Sequence, residues 1–466
     1  MVSWTLGMRR RRRRDGFARM LHKLTPTWRA PARIVLTAFF VGIMIGTGLL
    51  MLPAATAPGY QTTFVDALFT ATSALCVVGL AAVDTAVHWS FLGQVIILCL
   101  VQVGGLGIMM LAAVFGLLVS RRVGLRLQIT AQTESHGLGL GDFRSLALNV
   151  ARLSLFFEAV TAVLLTARFW LGYDYTFPQA LWFGVFHAVA AFNQAGFALF
   201  SDSMMGFAAD PWICLPVIVT AIAGALGFPV LVELRRRLRT PRRWNLHTKI
   251  TVITSGLLLV VGFLLITALE WNNPNTLGPL SPGGKLLAGF FHGTMPRSAG
   301  FNSVDVGQMN EATLLGTMVL MFIGGGSVST AGGIKVTTFA LLLFVLVAEA
   351  RGDSKVNVMG RTIPATTQRQ AISVALISLG VVVVGTMVLL TITDFGLPVV
   401  MFEVVSAFGV VGLSTGVTPD LPPAGHVLIT ALMFAGRLGP VTLAAALALR
   451  ERSLRYELPE ERPIVG

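Results

Sequence analysis

Four stretches of the chain are variants of one another: FTATSALCVVGL from Phe69 to Leu80, FHAVAAFNQAGF from Phe186 to Phe197, FFHGTMPRSAGF from Phe290 to Phe301 and FEVVSAFGVVGL from Phe402 to Leu413. Each sets a Phe (Phe69, Phe186, Phe290, Phe402) ten residues before a Gly (Gly79, Gly196, Gly300, Gly412), and each Gly precedes Leu or Phe. The glycines lie 117, 104 and 112 residues apart, so one unit recurs four times. A repeat of this kind fixes the architecture before any single element does.

Apolar runs flank each stretch. They lie near 34–54, 90–119, 147–171, 212–233, 251–270, 313–348, 371–393 and 426–449, close to the roughly 20 residues that cross a bilayer. Only 12% of the 466 residues are charged and 54% are hydrophobic, and mean hydropathy is +0.76. A soluble domain carries about 25% charge, so lipid is the expected solvent. The repeated stretches fall between the two spans of each pair. They are too short to cross, and such backbone sits at membrane depth only when buried in protein or lining a water-filled cavity. Two spans per unit give all four units one orientation, arranged about an axis along the membrane normal, with a pore at the centre. A secondary transporter of another fold would show inverted repeats with an odd number of spans, and none is visible. A non-transporting scaffold has no use for the repeated stretches.

The net charge is +13. Its placement argues for topology rather than nucleic-acid binding. Basic residues gather at Arg9–Arg14 through Arg33, at Arg121–Arg152, at Arg235–Lys249, at Arg351–Arg369 and at Arg450–Arg462. They thus mark the start, the end and the gap after every second span. The positive-inside rule makes all five cytoplasmic, both termini included. The polar opening segment does not read as a signal peptide. The predicted divisions are a basic N-terminus at 1–32, units at 33–120, 144–235, 249–350 and 370–450, and a tail at 451–466. Cys76, Cys99 and Cys214 form no disulfide framework or metal-ligand pattern.

A short helix that enters the membrane, turns at a glycine and leaves extended can aim backbone carbonyls at one axis. Four of them make rings that replace a cation's hydration shell, and glycine tolerates the backbone angles required. The candidate filter is therefore Cys76, Val77, Val78 and Gly79; Asn193, Gln194, Ala195 and Gly196; Arg297, Ser298, Ala299 and Gly300; and Val410, Val411 and Gly412. Tight turns between helices are the competing reading, and the matched spacing argues against it. Asp84, Asp202, Asp305 and Asp420, with Asp66, Asp174 and Asp210, would make the outer mouth negative.

The sixth apolar run is interrupted by Gly324, Gly325, Gly326, Ser327, Val328, Ser329, Thr330, Ala331, Gly332, Gly333, Ile334 and Lys335. This is too glycine-rich for a regular helix and reads as an unwound gating segment beneath the filter. It lacks the Gly-Lys-Ser/Thr of a phosphate-binding loop. Arg437, inside the last span, is costly there and so a functional candidate. It could pin the glycine-rich segment, act as an electrostatic barrier or bond to helix carbonyls. The glycines beside Gln102 suit close helix packing.

At these residues the chain resembles the Trk/Ktr/HKT superfamily of K+ transporters, most closely the bacterial KtrB-type membrane subunit, over about residues 33 to 450. The resemblance rests on the four glycine stretches, Asn193–Phe197, Pro296–Asn302, Gly324–Lys335 and Arg437. It implies an all-α integral membrane protein of four parallel M1–P-loop–M2 repeats, with eight transmembrane helices and four re-entrant pore helices around a central ion pore. It implies K+ uptake across the cell membrane, K+ at the filter carbonyls, Na+ as a candidate co-ion, and no enzymatic activity. It also implies a homodimer bound to a cytosolic RCK-type (KtrA-like) ring that carries the nucleotide, ATP or ADP, this chain holding no cofactor. Gly at all four filter positions resembles the K+-selective members. Cys76 stands where relatives more often have Thr. No separate domain for sensing is evident, so control is expected from the partner.

Overall fold

The computed structural model describes residues 30–122 and 142–449. Most of the basic N-terminus, the middle of the 121–143 segment and the tail lie outside the described residues. The helices in chain order are α1 Ala30–Leu50, α2 Phe64–Cys76, α3 Phe91–Arg122, α4 Asp142–Gly172, α5 Phe177–Asn193, α6 Pro211–Leu226, α7 Phe228–Arg237, α8 Leu246–Glu270, α9 Pro282–Thr294, α10 Glu311–Phe322, α11 Val336–Ala350, α12 Ala365–Ile392, α13 Leu397–Gly409 and α14 Pro423–Leu449. A two-residue ribbon interrupts the helical pattern, with Asn357 opposite Thr362 and Val358 opposite Arg361.

The four repeated stretches form the short helices α2, α5, α9 and α13. Their starts are written in the sequence. Thr63 caps α2 in a reciprocal box with Asp66, Thr176 pairs likewise with Gln179 ahead of α5, and the Ser281 hydroxyl accepts from Gly284 N ahead of α9. Such caps satisfy amides that the first turn leaves open. All four helices have mostly buried inner turns, and Phe69, Phe186 and Phe402 are almost wholly buried. The third stretch differs from the other three in which Phe is buried. Its buried anchor is Phe291, with Phe290 only partly covered, because a 3-10 turn at Met295–Arg297 extends the helix end.

The long helices invert the soluble pattern. On α8 the buried side includes Thr248, Thr251, Thr254 and Ser255, whereas Ile253, Leu257, Val260 and Leu264 are exposed. On α12, Leu376, Leu379, Val383, Val384 and Met387 are exposed. Apolar side chains facing outward over whole helices fit a hydrocarbon surrounding, not water. Among the described residues three helices are long and apolar enough to cross a membrane, Leu148–Gly172, Leu246–Glu270 and Ala365–Ile392. The pair α6 and α7, bent by 104°, adds a fourth if it is one span. That break was not visible in the run 212–233. It falls at Gly227, whose φ of +88° suits glycine. The run 313–348 is split between α10 and α11, as the glycines between them foretold.

Candidate functional site

Helices α2, α5 and α13 end alike. The residue two before the glycine takes a left-handed conformation, with φ of 57° at Val77, 68° at Gln194 and 57° at Val410. The next amide reaches back into the helix: Val78 N to Ser73 O at 2.8 Å, Ala195 N to Ala190 O at 2.8 Å and Val411 N to Ser406 O at 2.9 Å. Ser298 holds the matching place after α9, at φ 98°. Left-handed angles cost a non-glycine residue about 1–3 kcal/mol, so packing must impose them. Serine hydroxyls help fix the next turn, Ser73 Oγ accepting from Gly79 N and Ser406 Oγ from Gly412 N, each at 3.1 Å.

The four glycines lie beyond these turns, all at positive φ: 99° at Gly79, 64° at Gly196, 72° at Gly300 and 94° at Gly412. They close a ring. A Cβ added to Gly79 would meet Ala195 O and Gly196 Cα; one on Gly196 would meet Gly300; one on Gly300 would meet Val411 O; one on Gly412 would meet Val78 O. The structure thus brings together all four stretches named from the sequence, with backbone against backbone and no room for side chains.

On one side of the ring lies a cavity of about 450 Å³, lined by the four glycines with Asp84, Asp305, Asn302, Ser201 and Ser414 among others. Asp84 and Asp305 are the acids that reach it. Asp66 is instead held by the α2 cap, Asp210 pairs with Arg168 at 2.7 Å and Tyr173 at 2.9 Å, and Asp202 accepts from Gly206 N.

On the other side lies the glycine-rich segment. Ser298 Oγ donates to Val410 O at 2.8 Å and accepts from Gly332 N at 3.1 Å. A Cβ on Gly332 would strike Val410. Thr330 Oγ1 donates to Phe192 O at 3.1 Å, and Gly326 N to Ala225 O at 2.7 Å. Two buried arginines touch the same segment. Arg437, 2% exposed, donates from Nη1 to Thr330 O, with Nε and Nη2 finding no partner among the described residues. Arg297, drawn from the third stretch, donates to Ser255 O at 3.0 Å and Ser255 Oγ at 3.2 Å, with Gly324 O at 3.5 Å. The side chain of Arg297 therefore runs behind the ring toward the glycine-rich segment. Lys335 Nζ folds back on Ala331 O, and Ser329 Oγ donates to Gly326 O at 2.6 Å. Ser327 Oγ pairs with Thr337 Oγ1 at 3.0 Å. Cys76 is fully buried as the last residue of α2.

The family model for TrkH, described as a cation transport protein, matches residues 15–455. The chain belongs to the TrkH family. It is 38% identical over 427 residues to the Ktr system potassium uptake protein B of Bacillus subtilis, covering 91% of this chain and 95% of the relative. It is 35% identical over 444 residues to the potassium/sodium uptake protein NtpJ of Enterococcus hirae, covering 94% and 97%. The crystal structure of the potassium transporter TrkH from Vibrio parahaemolyticus aligns with a TM-score of 0.69 at 19% identity, over 88% of this chain and 83% of that one. The TrkH-like helical fold is therefore shared, and with it the membrane setting. This TrkH-family chain is a transporter rather than an enzyme.

Several residues around the ring were missed in reading the sequence. Glu403, fully buried on α13, accepts from Ser414 Oγ at 2.6 Å, Thr415 N at 3.0 Å and Thr418 Oγ1 at 2.8 Å. His187, fully buried on α5, accepts from Leu199 N through Nε2 at 3.2 Å, with Nδ1 on Phe183 O at 2.7 Å. Glu158 on α4 gathers Gln102 and Asn193 behind the second stretch. An alignment of the four stretches on their buried Phe would have picked out the first two, since Glu403 and His187 each follow it.

Proposed function

We propose that this chain is the K+-conducting subunit of a Ktr-type uptake system, built as four parallel M1–P-loop–M2 units. The observation that carries this reading is the ring of Gly79, Gly196, Gly300 and Gly412, each at positive φ and each in contact with its neighbours' backbone. Carbonyls of Cys76–Gly79, Asn193–Gly196, Arg297–Gly300 and Val410–Gly412 line the path and replace the hydration shell of K+. The segment Gly324–Lys335 blocks the other end of the path as a gate, with Arg437 pinning it. K+ is the transported ion, in keeping with what the relatives' names say of them, and NtpJ's name supports Na+ as a second ion. The assembly is a homodimer docked on a separate cytosolic ring that binds the nucleotide, with both termini of this chain cytoplasmic.

The test is uptake in a bacterium lacking its own K+ transporters, with K+ and Na+ varied separately. Gly79→Ser and Gly412→Ser should each raise the KM for K+ about tenfold or more, a change of roughly 1.4 kcal/mol, and narrow the K+/Na+ preference. Parental KM and preference in both variants would overturn the assignment of the path.

A further inference from the structure

Resting on the reading of the ring as the ion path, we propose that Glu403 and His187 are positioning residues for ion selectivity, bracing the outgoing limbs of the fourth and second stretches. The two occupy one structural place. Each directly follows the buried Phe of its short helix, Phe402 or Phe186. Each accepts the backbone amide of the third residue beyond its ring glycine, Thr415 beyond Gly412 and Leu199 beyond Gly196. Two unrelated side chains, a carboxylate and an imidazole, thus converge on one bond. In the other two stretches the residue after the buried Phe makes no such bond: Thr70 Oγ1 and both ring nitrogens of His292 are buried without a partner among the described residues.

The ring order makes the pairing more specific. Gly79 meets the second stretch, Gly196 the third, Gly300 the fourth and Gly412 the first, so the braced stretches face each other across the axis. Each brace acts beyond a left-handed turn, at Gln194 or Val410, where the amides of Leu199 and Thr415 have no backbone partner among the described residues. The side-chain acceptor there sets how far each glycine carbonyl stands from the axis. Glu403 extends its hold through Ser414 and Thr418, which in turn lie over the cavity. His187 accepts through Nε2, which assigns its proton to Nδ1 and Phe183 O.

The experiment measures K+ and Na+ uptake kinetics in the transporter-deficient bacterium, with membrane abundance followed in parallel. Glu403→Leu and His187→Phe should raise the KM for K+ and lower the K+/Na+ ratio several-fold at parental abundance. Glu403→Gln, which keeps an acceptor for Thr415, should restore most of both. Thr70→Val, at the unbraced place, should leave both unchanged. His187→Phe keeps an aromatic ring against Phe169 and Phe200, which already pack on the imidazole, and it is made independently of Glu403→Leu, so it reports where that variant fails to assemble. Parental KM and ratio in His187→Phe, or a fall in abundance and maximal rate alone, would overturn the proposal. Gly412→Ser run alongside separates the failures: if it too leaves uptake untouched, the ion-path reading fails rather than the brace.

Discussion

Arg437 donates to one carbonyl of the glycine-rich segment and keeps two nitrogens buried without a partner among the described residues. A cation inside a membrane span is costly, and a single donated bond suits a contact built to be broken. Arg437→Gln should therefore raise basal K+ flux in liposomes several-fold, and a lower flux in well-folded protein would favour a purely structural arginine. Glycines beside the short helices act differently. A Cβ on Gly104 would strike Leu75 O, and one on Gly436 would strike Phe408 O. Gly104→Ala and Gly436→Ala should each destabilise by about 1–3 kcal/mol through overpacking, read as a lower melting temperature in detergent. Gly256→Ala, where nothing lies within 4 Å, should hold or raise it.

At the scale of elements, the segment between α10 and α11 is stitched at Gly326, Thr330 and Gly332 to three parts of the fold. Deleting residues within Gly325–Gly332 removes those stitches. The expected outcome is higher resting flux with less dependence on any regulator, measured by ion flux into liposomes; a lower flux would point to a structural segment. This segment was legible because its glycines interrupt an apolar run, and the ring was legible because its motif recurs. The bend at Gly227 was not. One glycine in an apolar run is compatible with a straight helix, and the partners at the break lie about a hundred residues away: a Cβ on Gly227 would meet the carbonyls of Ser327 and Val328, and Phe228 N donates to Val328 O at 3.2 Å. Ser298 was named for its place in the motif, but its bridge between Val410 and Gly332 joins residues remote in sequence. That Phe291 rather than Phe290 is the buried anchor of the third stretch was not legible, because the 3-10 turn at Met295–Arg297 consumes length differently from an α-helix.

For the whole molecule, the outward apolar faces of α8 and α12 fix the solvent, while the basic segments Arg235–Lys249 and Arg351–Arg369 fix where charge collects. Those segments are too short to bury a core of their own. On the proposed reading a separate cytosolic ring is the regulator, and purification from native membranes in mild detergent should recover it with this chain. Full, regulated flux from the chain alone in liposomes would remove the need for one. Anionic lipid offers the competing use of the positive charge, and high salt distinguishes the two by releasing a protein partner as a defined species.

The ring around the four glycines is drawn from one polypeptide, and the residue before each glycine is not the same all round: Val78 and Val411 in two quadrants, Ala195 and Ala299 in the other two. In a pore made of four identical subunits every mutation is written into all four walls at once. Here it is written into one. If the ring is the proposed ion path, sequence change can therefore move its preference among cations in quarter steps, and an altered wall is held in shape by three that are not.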